Sequence, residues 1–282
     1  MKSALLLVAS IGLFACGWTG KRSVVSTQTI PPLSTVDSRT QKNSVPVIHV
    51  FVALCDNVNQ GIVPVAPSLG NGDDPSRNLY WGAAFGVKTF FSKNKSWLFV
   101  RALSGAKNSQ ILERAVFKHA ERDVFMVADA YRGSEIKRAT QDFLDAAAGI
   151  PGEAVDISYD GKKMALQFGG GAQLITYIGH DGLMDFQPTS VSHKHDEEKR
   201  DAIILACASK NYFADALRPT GARPLLWTTN LMAPEAYVLS AAIDGWLNKE
   251  TDEQIRLRAA KAYNRYQNCG LQSANKLFAT GW

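Results

Sequence analysis

The sequence has few cysteines, no block of basic residues and, after its first fifteen residues, no long apolar run. Four cysteines in 282 residues are too few to build a disulfide-based scaffold. Lysine and arginine number 31 against 26 acidic residues, and they are scattered, so we expect no nucleic-acid partner. The lack of later runs of membrane-spanning length excludes a multi-span membrane protein.

A recognisable metal motif is also missing. The loop at 70–78 is rich in oxygen-bearing side chains but lacks the spacing of an EF-hand, so we expect no metal ion and no other cofactor. What the chain does contain is 46% apolar and 20% charged residues, which is the composition of a folded globular protein. The length allows a full core, either as one large domain or as two small ones.

The first fifteen residues have the pattern of a signal peptide. Lys2 precedes an apolar run at 4–14, which ends in Leu13-Phe14-Ala15-Cys16. This ending resembles the lipobox of bacterial lipoproteins, which implies a signal peptide at 1–15 and lipidation of Cys16. The alternative is an ordinary signal peptide cleaved near Ala15, with Cys16 a free thiol. With lipidation, the protein is anchored to a membrane of the cell envelope and faces the periplasm or the exterior.

The segment after the signal peptide is polar and lacks apolar periodicity. Residues 16–44 are rich in Ser, Thr, Gln and Lys and include Pro31-Pro32, which is typical of a flexible linker. We therefore place one folded domain at 45–282.

Short apolar runs alternate with helical patterns along this domain, which predicts an α/β fold. We expect a three-layer sandwich with a mainly parallel central sheet flanked by helices. Residues 155–168 form a predicted hairpin that turns at Asp160-Gly161. Thr251 and Gln254 have the spacing of a helix capping box. The predicted strands are 47–54, 97–103, 124–130, 174–178, 202–206 and 225–228, and the predicted helices are 79–91, 109–119, 134–148, 234–247 and 251–268.

A histidine and a cysteine follow two consecutive predicted strands. The strand at 174–178 leads into Gly179-His180, and the strand at 202–206 leads into Cys207. Consecutive strands of such a sheet are usually neighbours, so we expect both side chains at the same edge. A thiolate is a nucleophile, and a nearby imidazole can lower the pKa of the thiol and later protonate a leaving amine. The alternatives are a hydrogen-bonded loop histidine and an inert buried thiol.

These two strand endings resemble those of the caspase-like cysteine peptidases, a superfamily that includes metacaspases, gingipains and legumains. The resemblance runs from about residue 47 to about residue 247, and it includes the opening strand followed by Cys55-Asp56-Asn57. It implies a caspase-like fold, His180 as general acid and base, and Cys207 as nucleophile. Backbone N–H groups near Asp181 and Cys207 would form the oxyanion hole.

One position departs from the superfamily. There a glycine directly follows the histidine, whereas here Asp181 precedes Gly182. Asp181 either distorts the oxyanion hole and keeps the protein inactive, or lies beside the imidazolium and orients it.

Three further residues are candidates for binding a substrate. Asp56 ends the first strand and either selects a basic side chain or closes an Asx turn. Asn230 and Tyr237 belong to the segment after the last predicted core strand, which is expected to border the cleft.

Two functions remain open from the sequence, with a third less favoured. The first is a membrane-tethered cysteine peptidase or thiol amidohydrolase that acts on a peptide or protein through His180 and Cys207. The second is a catalytically inactive caspase-like lipoprotein with a binding or structural role in the envelope. The third is a module that binds small ligands, because open α/β sheets carry many functions.

Overall fold

The computed structural model describes residues 45–104 and 106–282. The predicted signal peptide, Cys16 and the linker lie outside these residues. None of the helices within the described part is both long and apolar enough to cross a membrane.

Strands and helices alternate along the domain. The strands are β1 Val47–Ala53, β2 Trp97–Leu103, β3 Ile111–His119, β4 Phe125–Tyr131, β5 Pro151–Tyr159, β6 Lys162–Gly169, β7 Leu174–Ile178, β8 Asp201–Leu205, β9 Arg223–Thr228 and β10 Phe278–Ala279. The helices are α1 Val87–Lys93, α2 Ile136–Ala147, α3 Ser209–Leu217, α4 Ala236–Leu247, α5 Asp252–Gln267 and α6 Leu271–Leu277.

Eight of these strands form one sheet, in the order β10-β9-β8-β7-β1-β4-β3-β2. The five central strands, β9, β8, β7, β1 and β4, are parallel. The strands at both ends, β10 on one side and β3 with β2 on the other, pair antiparallel. The α/β class is confirmed, but the sheet is mixed, so the expectation of a mainly parallel sheet is only partly right.

Apolar side chains cover both faces of the sheet. On one face the strands pack against α1, α4, α5 and α6. On the other face they pack against α2, α3 and the β5–β6 hairpin. Every residue of β1 is buried, which explains why this strand reads as a continuous apolar run in the sequence.

The predicted helix at 109–119 is wrong, because this segment is strand β3. Arg114 and Lys118 are four residues apart. Residues at this spacing lie on the same face of a helix and also on the same face of a strand. Here both side chains are buried: Arg114 pairs with Asp129, and Lys118 Nζ lies 5.5 Å from the centre of the Phe125 ring. Arg114 and Lys118 therefore lie inside the protein and not on a solvated surface.

The predicted helix at 79–91 is also mostly wrong. Only α1 is helical there, and residues 79–85 form turns. Gly82 is tightly packed in these turns, since a Cβ at this position would collide with the carbonyl of Ser76. Helices α3 and α6 and strand β10 were not predicted from the sequence.

The other predicted elements are confirmed to within a few residues. The hairpin turns at Asp160-Gly161 as expected, with both residues at positive φ. Thr251 caps α5, where its side chain accepts the Gln254 N–H and the Gln254 side chain accepts the Thr251 N–H.

Candidate functional site

The order of the central strands puts a topological switch point between β1 and β7 at their carboxyl ends, where open α/β sheets form a crevice. Strands β1 and β4 come first along the chain and lie on one side of this point, and β7, β8 and β9 come later and lie on the other side. The connections therefore leave the carboxyl ends of β1 and β7 in opposite directions. In open α/β sheets this is where ligands bind.

His180 and Cys207 follow adjacent strands at this edge, as expected. Ile178 of β7 pairs with Leu205 of β8, and each of the two candidate residues comes two positions later. The chain segments that lead to His180 and Cys207 therefore start from neighbouring strand ends. Neighbouring strands lie about 4.8 Å apart, so the two backbones are close at this point.

The His180 ring is held by a carboxylate that the sequence analysis missed. His180 Nε2 lies 2.7 Å from Asp185 Oδ2, and the ring is nearly buried. A single 3-10 turn at Gly182–Met184 folds the chain back and carries Asp185 to the ring. The spacing of five residues between histidine and aspartate gives no recognisable motif, because it depends on this turn. Asp185 takes the orienting position that was considered for Asp181.

Asp181 lies next to the histidine but has a different environment. Its side chain is fully buried, and Oδ1 accepts the Leu183 N–H at 3.0 Å. Within the described part of the chain, Oδ2 has no hydrogen-bond partner. Burial raises the pKa of this carboxyl to about 7. The backbone has φ −80° and ψ 93°, which any residue adopts, so the aspartate does not distort it.

Gly182 has a packing role. A Cβ at this position would lie 2.5 Å from Cζ of Phe186, so any larger residue would displace that ring or the turn that positions Asp185. Of the two predicted oxyanion or orienting residues, Asp181 caps the 3-10 turn and Gly182 allows it to form.

Cys207 lies at the start of a tight turn between β8 and α3. The next residue, Ala208, has φ 48° and ψ 32°, a left-handed conformation that is unfavourable for alanine. The Ala208 N–H donates to the carbonyl of Asn230 at 2.9 Å, which fixes the turn to the loop after β9. Strained turns of this kind often occur at functional sites.

The thiol of Cys207 is half-buried and is engaged with the backbone. Its Sγ accepts the Met232 N–H at 3.4 Å and lies 3.6 Å from the carbonyl oxygen of Met232. Burial raises the pKa of the thiol, and the carboxyl of Asp181 raises it further. Hydrogen bonds of the described residues do not join Cys207 to the ring of His180. The structure thus brings the two residues to adjacent strand ends without direct pairing.

Asp56 has the geometry of the Asx-turn alternative. Its carboxylate accepts the N–H groups of Val58 and Asn59 at 2.9 and 3.1 Å, and it also accepts the side-chain amide of Asn59. The residue is 5% exposed. Asp56 therefore holds the loop after β1 in place, and its carboxylate is occupied.

The last two predicted substrate contacts differ in exposure. Asn230 is exposed, and its Oδ1 accepts the Leu231 N–H at 2.7 Å. Tyr237 is buried, donates to Glu235 Oε2 at 2.8 Å, and stacks on Tyr266 with 4.1 Å between ring centres. Asn230 borders the crevice near Cys207, whereas Tyr237 packs the interface between α4 and α5.

Comparison of the chain with protein-family models, with curated proteins and with solved structures finds no match. The described residues contain no group of three or more His, Cys, Asp and Glu side chains that could hold a metal ion.

Proposed function

We propose that the protein is a cysteine-dependent peptidase or thiol amidohydrolase with a caspase-like fold. The observation that carries the proposal is that Cys207 and a histidine held by a carboxylate follow adjacent parallel strands at their carboxyl ends. A nucleophile, a base and a group that orients the base are the parts that acyl transfer requires.

In this proposal the Cys207 thiol gives its proton to His180 while the sulfur attacks the carbonyl carbon of an amide. Asp185 occupies Nε2 of the ring, so Nδ1 is the nitrogen that exchanges the proton. The imidazolium then protonates the leaving amine, and a water molecule hydrolyses the thioester. Asp185 stabilises the imidazolium by its charge.

Substrate binding has to bring the two residues together. In the substrate-free protein the thiol hydrogen-bonds with Met232, and its raised pKa keeps it protonated at neutral pH. Catalytic hydrogen bonds are often long without substrate and shorten in the complex. A peptide backbone that displaces the thiol from Met232 would free it to meet the ring.

The proposed peptidase is tethered to a membrane of the cell envelope through Cys16, with residues 17–44 as a linker. Its substrate is a peptide or protein, and neither a cofactor nor a nucleic acid takes part. The lipobox-like segment Leu13-Phe14-Ala15-Cys16 supports this part of the proposal.

The test is hydrolysis of a peptide library by the full chain. We expect Cys207→Ala to abolish cleavage and Asp185→Asn to lower kcat/KM by at least about 100-fold, because general base catalysis contributes 10² to 10⁴. Cys269→Ala removes an exposed free thiol and is expected to leave the rate unchanged. Cleavage by Cys207→Ala at the rate of the unmodified protein would overturn the proposal.

A second candidate is a binding role without catalysis, which the raised pKa of the Cys207 thiol favours. Alkylation with iodoacetamide at neutral pH, followed by tryptic mapping, separates the two. Residues 201–210 and 266–276 form separate tryptic peptides that contain Cys207 and Cys269. Peptidase activity predicts that adding a cleaved peptide changes alkylation of Cys207 and not of Cys269. A binding protein would show slow alkylation of Cys207 that His180→Ala leaves unchanged, and no cleavage.

A further inference from the structure

A cavity of about 370 Å³ lies on the face of the sheet that packs against α2 and the β5–β6 hairpin. Its lining does not include His180, Asp185 or Cys207. Its volume lies within the range of sites for small molecules. The lining combines aromatic and charged side chains, so this volume is more than a packing defect of an apolar core.

The floor of the cavity is a buried network of charges. Arg114 donates from Nε and Nη2 to the two oxygens of Asp129, at 2.6 and 2.8 Å, and from Nη1 to Glu153 at 2.8 Å. His49 lies 3.1 Å from Asp129. Arg114 and Asp129 are 4% and 1% exposed. Burying charges is costly, which makes such a network an unusual lining for a cavity that has only a structural purpose.

The hydrogen bonds of His49 show that its ring is neutral. Its Nδ1 accepts the N–H of Gly169 at 3.1 Å, so the proton is on Nε2 and is donated to Asp129. Burial also lowers the pKa of this histidine. His49 therefore adds no positive charge to the cavity.

The charges that line the cavity do not cancel. The charged side chains are Arg114, Arg138, Asp129, Asp142, Asp145 and Glu153. Arg138 pairs with Asp142, and Arg114 faces both Asp129 and Glu153. Asp145 accepts hydrogen bonds from two neutral groups, the amide of Gln141 and the hydroxyl of Ser192. Two positive and four negative charges leave an excess of two negative charges.

We propose that this cavity binds a short organic cation that carries one or two amino groups. Glu153 and Asp145 supply the unbalanced negative charge, and Phe51 and Phe168 supply apolar surface for the short carbon chain. A metal ion is disfavoured, because the described part of the chain has no cluster of three metal-ligating residues at this place or elsewhere. An anion is disfavoured because Arg114 is already matched by two carboxylates.

Calorimetric titration of the full chain at low ionic strength tests the proposal with three probes of similar length. We expect 1,4-diaminobutane to bind with a stoichiometry of one, and 1,4-butanediol and succinate not to bind at the same concentrations. Glu153→Gln and Asp145→Asn are each expected to weaken binding of the diamine by about five- to tenfold, because each removes one attractive charge. Glu197→Gln, at a carboxylate that is 95% exposed, serves as the matched control and leaves binding unchanged.

A blocking variant tests the location independently of charge. Ile150 lines the cavity and is 39% exposed, so Ile150→Trp fills the mouth without replacing a buried core residue. We expect this variant to lose diamine binding while its circular dichroism spectrum stays native. The proposal is overturned by a lack of diamine binding, by preferential binding of succinate, or by unchanged binding in Ile150→Trp or in the double variant Glu153→Gln, Asp145→Asn.

Discussion

At the scale of single residues, Asp181 links the stability of the domain to pH. Its carboxyl ionises near pH 4 in an unfolded chain, whereas burial raises the pKa to about 7 in the folded protein. Between pH 4 and pH 7 the carboxyl is therefore ionised in the unfolded chain but still protonated in the folded protein. The stability that the protonated group provides is therefore complete below pH 4 and is lost as the pH rises to 7.

This linkage predicts the behaviour of Asp181→Asn, which keeps the shape of the side chain but does not titrate. From pH 5 to pH 8, the free energy of unfolding of the unmodified protein should fall relative to the variant by roughly 2–3 kcal/mol. Urea denaturation at both pH values measures the difference. Asp215→Asn, at an exposed carboxylate of α3, is the control and should change by less than about 0.5 kcal/mol. Identical pH dependence in Asp181→Asn and the unmodified protein would contradict the prediction.

The sequence predicted only those residues of the candidate site that directly follow a strand. His180 and Cys207 were found because each follows an apolar run and because consecutive parallel strands tend to be neighbours. Asp185 was missed because a 3-10 turn brings it to the ring, and the hydrogen bond of Cys207 with Met232 was missed because it joins residues 25 positions apart. Contacts that depend on turn geometry leave no periodic signal in a sequence.

At the scale of elements, the Arg114 network ties three strands of the sheet to the hairpin. Arg114 lies on β3, Asp129 on β4, His49 on β1 and Glu153 on β5. The guanidinium also lies 4.3 Å from the centre of the Phe168 ring of β6. These contacts connect the hairpin, which has its own two-stranded sheet, to the central sheet.

Removing the arginine should therefore destabilise the domain strongly. Arg114→Met is expected to lower the free energy of unfolding by about 3–5 kcal/mol, because Asp129 stays buried without its cation. Arg101→Met on β2 is the matched control: this arginine is exposed and donates to the Asp156 carbonyl, and its loss should cost less than about 1 kcal/mol. Chemical denaturation measures both variants. Equal effects at the two positions would show that the buried network does not stabilise the fold.

The same network explains the largest error in the predicted elements. Arg114 and Lys118 interrupt the apolar pattern of β3, and a sequence does not show whether a charge will find a buried partner. The strands that form continuous apolar runs, such as β1 and β4, were predicted to within one or two residues. The helices α2, α4 and α5 were also found, because their apolar periodicity agrees with their packing.

At the scale of the whole molecule, the sheet predicts a gradient of local stability. Strand β1 pairs on both sides, with β4 and β7, and all of its residues are buried. Strand β2 is at the edge and is half exposed. Buried central strands open only when the whole domain unfolds, whereas edges open locally.

Hydrogen exchange measured by mass spectrometry or NMR tests this gradient. We expect the amides of β1 to exchange at least about 1000-fold more slowly than the outward amides of β2, since global unfolding of a domain costs 5 kcal/mol or more. Addition of about 1 M urea should accelerate exchange in β1 more than in β2, because only global unfolding exposes a large surface. Comparable protection of the two strands would contradict a sheet with β1 at its centre.

The direction of β1 separates the start of the domain from the candidate site. The chain enters this strand at Val47 and leaves it at Ala53, beside the crevice. Seven extended residues span roughly 20 Å, so whatever precedes Val45 joins the rim of the sheet opposite to His180 and Cys207. Residues at the amino-terminal end of β1 therefore lie a full strand length away from the candidate site.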